Sequence, residues 1–318
     1  MKRALIFGVS GQDGAYLSRL LLEKDYEVHG TSRDAELQHF DRLDQLGIRS
    51  RVTVHSASLL DFRNLLQLIA TIQPDEIYNL AGQSSVALSF SQPVETLESI
   101  VQGTMRILEV MRYLKLPIRF FNATTSECFG ATPFGSASIE ETPFYPRSPY
   151  ATAKAASHWA VINYREAYNL HACSGILFNH ESPLRSDRFV TKKIVAYAKR
   201  IAAGERVQLE LGDINVWRDW GYAPDYVDAM WRMLQPERAE EFVIATGESH
   251  SLEELVAAVF AEVNLDWREH VTANAQLLRP TEVKYNRGNP EKALRLLGWA
   301  ATTKFRDLAR VLVAGVSA

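Results

Sequence analysis

Ala4-Leu5-Ile6-Phe7-Gly8-Val9-Ser10-Gly11-Gln12-Asp13-Gly14-Ala15-Tyr16-Leu17 is the stretch whose reading decides the fold. Four apolar residues end at Gly8, Gly11 and Gly14 follow, and Tyr16, Leu17, Leu20 and Leu21 then recur at helical spacing. The order is strand, glycine turn, helix. In that setting Gly8 permits the tight turn, Gly11 lets backbone approach a pyrophosphate, and Gly14 lets the helix pack on the strand, while the helix N-terminus stabilises negative charge. The context required of a dinucleotide fingerprint is therefore met, and Gln12 and Asp13 join the three glycines as candidate cofactor contacts.

Working outward, a second strand over 27–31 ends about 20 residues after the glycines, where an acidic residue selects the ribose of NAD and an arginine the extra phosphate of NADP. Arg33 lies nearer the strand end than Asp34, which favours NADP over NAD. Strand-like segments recur at 52–55, 76–80, 119–123 and 172–178, separated by helical patterns such as 62–72 and 97–114. Such alternation predicts an α/β fold with a doubly wound parallel, Rossmann-type sheet. Leu80 and Ala81, at the C-terminal end of the fourth strand, are placed beside the cofactor, and the small residues Ser84 and Ser85 beside cofactor or substrate. From 179 the pattern is broken and polar. The expected division is therefore 1–178, a dinucleotide-binding domain with the catalytic residues, and 179–318, a smaller substrate lobe free to return some elements to the main sheet.

The 318 residues are 47% apolar and 23% charged, with a net charge of −3, which is ordinary for a globular chain and carries no basic excess for nucleic acid. No apolar run reaches the roughly 20 residues of a membrane span. Cys128 and Cys173 are too few for a disulfide framework, and the eight histidines lack metal-ligand spacing. No metal is expected, and the cytoplasm is the expected compartment.

A second informative stretch runs from 122 to 154. Pro149 marks a helix start, so Tyr150 falls in its first turn and Lys154 one turn further on the same face, where an ammonium can lower the phenol's pKa. Thr125 would hold the oxygen on which the phenol works, and Glu127, two residues along an extended stretch, would point to the same side as a second acid/base. A Tyr and a Lys four apart are weak evidence alone. Joined to the glycine turn they gain meaning.

Together these features resemble the extended short-chain dehydrogenase/reductase superfamily. Within it the chain is similar to GDP-mannose 4,6-dehydratases, through GVSGQDGAYL, EIYNLAGQSSV, TTSECFG, TPFYPRSPYATAK, GILFNHESP, RDWGYAPDYVDAMW and RPTEV. The resemblance implies that Tyr150, helped by Lys154, takes the proton of the sugar 4-hydroxyl, that Thr125 orients the 4-oxygen, and that Glu127 takes the C5 proton as water leaves C6. Ser126 stands where related dehydratases carry an aspartate acid. The resemblance also implies a GDP-sugar site containing Asn179, Val190, Lys193, Arg218, Arg279 and Glu282, of which Lys193 and Arg218 suit a diphosphate. Trp217, Trp220 and Trp231 read as packing residues. A homodimer is implied, through helices at 97–114 and 150–168, with a tetramer as the larger alternative. Arg33-Asp34-Ala35-Glu36 departs from the family's arginine pair, and Leu184-Arg185-Ser186-Asp187-Arg188 departs beside the sugar pocket. The latter keeps GDP-manno-heptose open as a second substrate. A nucleotide-sugar reductase or epimerase, and a non-catalytic nucleotide binder, are the competing classes; Glu127 argues against the first two and the intact proton-transfer set against the third.

Overall fold

The computed structural model describes residues 1–316. Six strands arise in chain order: β1 (Arg3–Phe7), β2 (Glu27–Ser32), β3 (Val52–Ser56), β4 (Glu76–Asn79), β5 (Arg119–Thr125) and β6 (His171–Leu177). With the short strand Phe242–Ile244 they form one sheet in the order Phe242–Ile244, β6, β5, β4, β1, β2, β3. Every pairing is parallel. The chain builds outward from β1 to β3 and then restarts at β4 on the other side of β1, so strand order reverses between β1 and β4. In such sheets a crevice opens there beyond the strand ends.

Strand alternation explains the two cores. Ala4, Ile6, Tyr78 and Phe121 pack on the face covered by helices Gln12–Glu23 and Ala223–Met233. Leu5, Phe7, Ile77 and Phe120 pack on the other, against Phe62–Ile72, Gly103–Leu114 and Pro149–Tyr168. Each such side chain is nearly inaccessible, and burying one contributes roughly 1.5–3 kcal/mol. A third core of Ile194, Leu209, Leu211, Trp220, Leu255, Phe260, Leu308 and Leu312 fills the C-terminal lobe.

The lobes are interleaved more deeply than a cut at 178 suggests. Helix Ala223–Met233 packs on Gln12–Glu23, and Phe242–Ile244 pairs with β6 as an edge strand. The segment expected as one helix over 97–114 begins earlier, at Pro93–Leu97, and passes through a π-helical turn, Glu98–Gln102, before Gly103–Leu114. Pro93 suits a first helical position. The π turn brings Ser99 to the loop that follows β4, where its hydroxyl accepts from the Gln83 N–H (3.4 Å). Among the described residues no helix is long and apolar enough to cross a membrane, and no cluster of His, Cys, Asp and Glu could hold a metal. Cys128 and Cys173 are free and buried.

Candidate active site

A cavity of about 430 Å³ lies over the C-terminal ends of the central strands. The glycine turn reaches this cavity through Asp13. Gly8 has φ +91°, and a Cβ there would lie 3.0 Å from the backbone of Leu80 and Ala81. At Gly14 a Cβ would lie 2.4 Å from the Gly8 carbonyl oxygen and 2.7 Å from Val9 Cα, so only glycine lets the helix sit on the strand. Gly11 caps Gln12–Glu23, and no side chain fills the cap. The first-turn N–H groups are thus left for an anion.

The side chains of Gln12 and Asp13 are committed elsewhere. Gln12 is buried, donates to the His180 carbonyl (3.2 Å) and accepts from Ser182 Oγ (2.6 Å). The Asp13 carboxylate meets His180 Nε2 at 2.9 Å. Burial alone would raise the Asp13 pKa, but His180, with Gln12 and Arg185, outweighs it and holds the group down at about 2. What this turn offers a phosphate is therefore chiefly backbone. Leu80 lines the cavity while Ala81 packs against the core. Arg33 is exposed just beyond β2, outside the cavity wall.

Thr125, Glu127, Tyr150 and Lys154 meet in the same cavity. Two expectations about them differ from the structure. β5 ends at Thr125 and Ser126–Phe129 is a 3₁₀ turn, so Glu127 is not on an extended stretch. The Thr125 hydroxyl caps that turn by accepting from the Glu127 N–H (3.3 Å), and the turn itself brings the carboxylate into the cavity. Second, helix Pro149–Tyr168, capped by Ser148 Oγ (3.1 Å to Ala151 N), does set Lys154 one turn after Tyr150. The Lys154 ammonium, however, donates to the Ala123 carbonyl (2.7 Å). Burial pushes the Tyr150 phenol well above its ordinary value; the Thr125 hydroxyl works against this, Cys128 and Glu127 add to it, and Arg185 opposes it. Burial likewise lowers Lys154 to about 8.

Ser84, Ser85, Asn179, Val190, Lys193, Arg218, Arg279 and Glu282 all line the cavity. Ser85 also caps helix Val86–Ser91, accepting from Leu88 N at 3.2 Å. Arg218 is almost wholly buried and donates to Glu282 (2.8 Å) and to the Val283 carbonyl (2.6 Å). Arg279 reaches the same Glu282 oxygen at 3.4 Å. Two guanidinium groups thus share one carboxylate, and Lys193 has a backbone carbonyl, that of Glu210, at 2.7 Å. Arg218, Arg279 and Glu282 together carry one net positive charge, which suits a phosphate.

His180 and Glu181, not singled out from the sequence, also line the cavity, as do Arg185 and Arg188 of the 184–188 stretch expected beside the sugar pocket. Glu181 binds Arg185 (3.1 Å) and the Thr191 hydroxyl (2.6 Å), and Arg185 stacks on Phe189 at 3.6 Å. Glu181 ends a short strand and Arg185 lies in the loop after it, so no regular spacing in the sequence announces the pair. Trp220 packs in the lobe core, Trp231 donates to the Tyr26 hydroxyl (3.2 Å), and Trp217 meets Phe134 edge to face.

The sequence profile of the family described as GDP-mannose 4,6 dehydratase matches residues 5–312. GDP-mannose 4,6 dehydratase 1 of Arabidopsis thaliana is 44% identical over 322 residues, covering 98% of this chain and 89% of that protein. A UDP-glucose 4-epimerase of Thermus thermophilus, solved with NAD, superposes with a TM-score of 0.86 at 24% identity, covering 98% of each chain. RMD of Pseudomonas aeruginosa, solved with NADPH, gives a TM-score of 0.81 at 22% identity, covering 99% of this chain and 98% of that one. The two solved structures share the fold, and the profile and the plant relative carry the assignment over nearly the whole length: the chain belongs to the GDP-mannose 4,6 dehydratase family.

Proposed function

We propose that this protein converts GDP-mannose to GDP-4-keto-6-deoxy-mannose with loss of water, a hydro-lyase reaction. The observation that carries this reading is one cavity in which Thr125, Glu127, Tyr150 and Lys154 face a wall of Lys193, Arg218 and Arg279, in a chain of this family.

The glycine turn fits a nicotinamide dinucleotide. Gly8 and Gly14 let the turn and the helix close onto backbone where a Cβ would collide, and the uncapped helix beginning at Gln12 suits a pyrophosphate. When bound, such a cofactor accepts hydride from a carbinol carbon and returns it within the same turnover. Arg33, at the end of β2, favours NADP over NAD. Tyr150 receives the proton of the sugar 4-hydroxyl, with Thr125 hydrogen-bonded to that oxygen. Because burial holds the phenol up, its ionisation depends on positive charge at the site, and Lys154 is the buried cation one turn away. The 4-keto group acidifies C5–H, and Glu127 removes that proton as the C6 hydroxyl departs. Lys193, Arg218 and Arg279 bind the diphosphate, with Glu282 accepting from donor groups of ribose or base. Asn179, Val190, Ser84 and Ser85 shape the space for the sugar.

A homodimer is the proposed assembly. Leu97, Tyr113, Trp159 and Tyr168 stand exposed on the two helical segments that would pair. Free buried thiols suit a reducing compartment, and the cytoplasm is the proposed location. No feature of the cavity favours GDP-manno-heptose over GDP-mannose.

The test is incubation of the purified protein with GDP-mannose and, separately, GDP-manno-heptose, without added cofactor, followed by mass spectrometry. Loss of one water from GDP-mannose is expected. Retention of that water, even after NADP⁺ is supplied, would turn the assignment toward a reductase, an epimerase or a binding protein.

A further inference from the structure

The turn that carries Glu127 is held from outside by one side chain. Asn286 is fully buried, and its Nδ2 donates to the Ser126 carbonyl at 3.3 Å. That carbonyl belongs to the peptide unit whose N–H, that of Glu127, donates to Thr125 Oγ1 at 3.3 Å. The peptide plane just before Glu127 is therefore pinned at both ends. Asn286 is itself fixed through its backbone: its N–H donates to the Trp217 carbonyl (3.2 Å), and its carbonyl accepts from Ser249 Oγ (3.0 Å). The neighbouring carbonyls of Tyr285 and Arg287 accept from Thr132 N (3.2 Å) and Ser138 N (2.9 Å). Asn286 Oδ1 has no partner in this buried place. An apolar side chain would fill the space without stranding an acceptor, so the amide is explained by its donor end.

Its position links two parts of the site. Trp217 precedes Arg218, whose guanidinium bonds Glu282 and Val283 in the same segment as Asn286. The strand bearing the buried arginine and the turn bearing the carboxylate are thus joined through one residue. We propose that Asn286 is a positioning residue for the second proton transfer, holding the Ser126–Glu127 peptide so that the Glu127 carboxylate faces C5 of the sugar. This rests on the reading of Glu127 as the C5 base.

The test compares Asn286→Leu, of similar volume but without the donor, with the unaltered holoenzyme in single turnover on GDP-mannose. Asn286→Ala gives the same readings should leucine disturb folding. Nicotinamide absorbance reports C4 oxidation, and mass spectrometry reports water loss. C4 oxidation should change by no more than about twofold, whereas water loss should slow on the order of 10- to 100-fold, the scale for a catalytic group displaced by about 1 Å. Reduced cofactor should then accumulate transiently, with KM nearly unchanged. A merely structural role would slow both steps together, and that result overturns the proposal. Amide hydrogen exchange of residues 125–130 in the purified protein gives a second reading that needs no turnover. It should quicken in the variant; unchanged exchange also overturns the proposal. If the unaltered protein leaves GDP-mannose intact, the functional reading fails, and the exchange rates alone decide whether Asn286 holds the turn.

Discussion

Replacing Lys154 with methionine distinguishes two roles that the structure leaves side by side. Burial lowers the ammonium from 10.5 to about 8, so at pH 7 about nine-tenths of it stays charged. Tyr150 sits one helical turn away, where Cβ atoms lie about 5–6 Å apart. At an effective dielectric constant of about 20, a unit charge at that distance stabilises a phenolate by about 3 kcal/mol, or about 2 pKa units. Removing the charge should therefore slow C4 oxidation about 100-fold near pH 7. The deficit should narrow above about pH 8, where the unaltered ammonium itself loses its proton. The assay is nicotinamide absorbance in single turnover across pH, on protein loaded with cofactor. Lys154 also donates to the Ala123 carbonyl near the end of β5. If it served only as that strut, the variant would be slowed by the same factor at every pH and would melt earlier. A pH-independent ratio would therefore refute the charge argument.

Gly14→Ala places a Cβ against backbone at Gly8 and Val9, which cannot yield as a flexible side chain does; about 1–3 kcal/mol of stability should be lost, seen as a Tm several degrees lower, with weakened cofactor retention on gel filtration. Asp13→Asn should alter stability in a pH-dependent way. The folded Asp13 pKa is depressed to about 2, so its contribution is present above about pH 4 and lost as pH falls toward 2. His180 is raised by Asp13, although burial opposes it, so its share is present below about pH 6.5 and lost as pH rises through the folded value. Thermal melts should show the largest gap between Asp13→Asn and unaltered protein from about pH 4 to 6.5; a gap constant across pH would show that the pair contributes no charge stabilisation. Glu127→Gln should still reduce bound cofactor on adding GDP-mannose yet release no water; full turnover in that variant would remove Glu127 from the role of base.

The parts of the fold legible in the sequence were those determined locally. Gly8, Gly11 and Gly14 declare themselves because a turn of that shape tolerates few other residues, and the central strand β1 shows as an apolar run. Phe242–Ile244 was not read as part of the sheet because three residues carry no period, and its place depends on pairing with β6, remote in sequence. Glu127 is legible by type and neighbourhood and does enter the cavity, but from a 3₁₀ turn rather than an extended stretch: Thr125 is both the last residue of β5 and the cap of the next turn, so an alternating pattern continued through it fails. Lys154 was placed on the right face of its helix, whereas its partner comes from β5, which no helical spacing can reveal. The same holds for Gln12, His180 and Asn286, whose roles exist only once the fold brings 12–13 to 180–182 and 286 to 126.

Arg218 shows how that limit bears on function. Read from the sequence it is a cation free for a diphosphate, but in the fold it is nearly inaccessible and already bonded to Glu282. A buried guanidinium stripped of its partner is costly, so the ion pair holds the arginine in place before any ligand arrives. Arg279 shares the same carboxylate oxygen, which leaves one uncompensated positive charge in the trio. On the proposed function, a diphosphate entering here need not expel an acid to find a cation. As its oxygens engage the guanidinium groups, the shared carboxylate is loosened rather than lost, and it becomes available to donor groups of the ribose or base. Diphosphate and nucleoside recognition would then be coupled through Glu282. Glu282→Gln should accordingly weaken GDP binding in calorimetry by more than the loss of one hydrogen bond, beyond about tenfold, and an affinity unchanged by that substitution would show that the two guanidinium groups act without it.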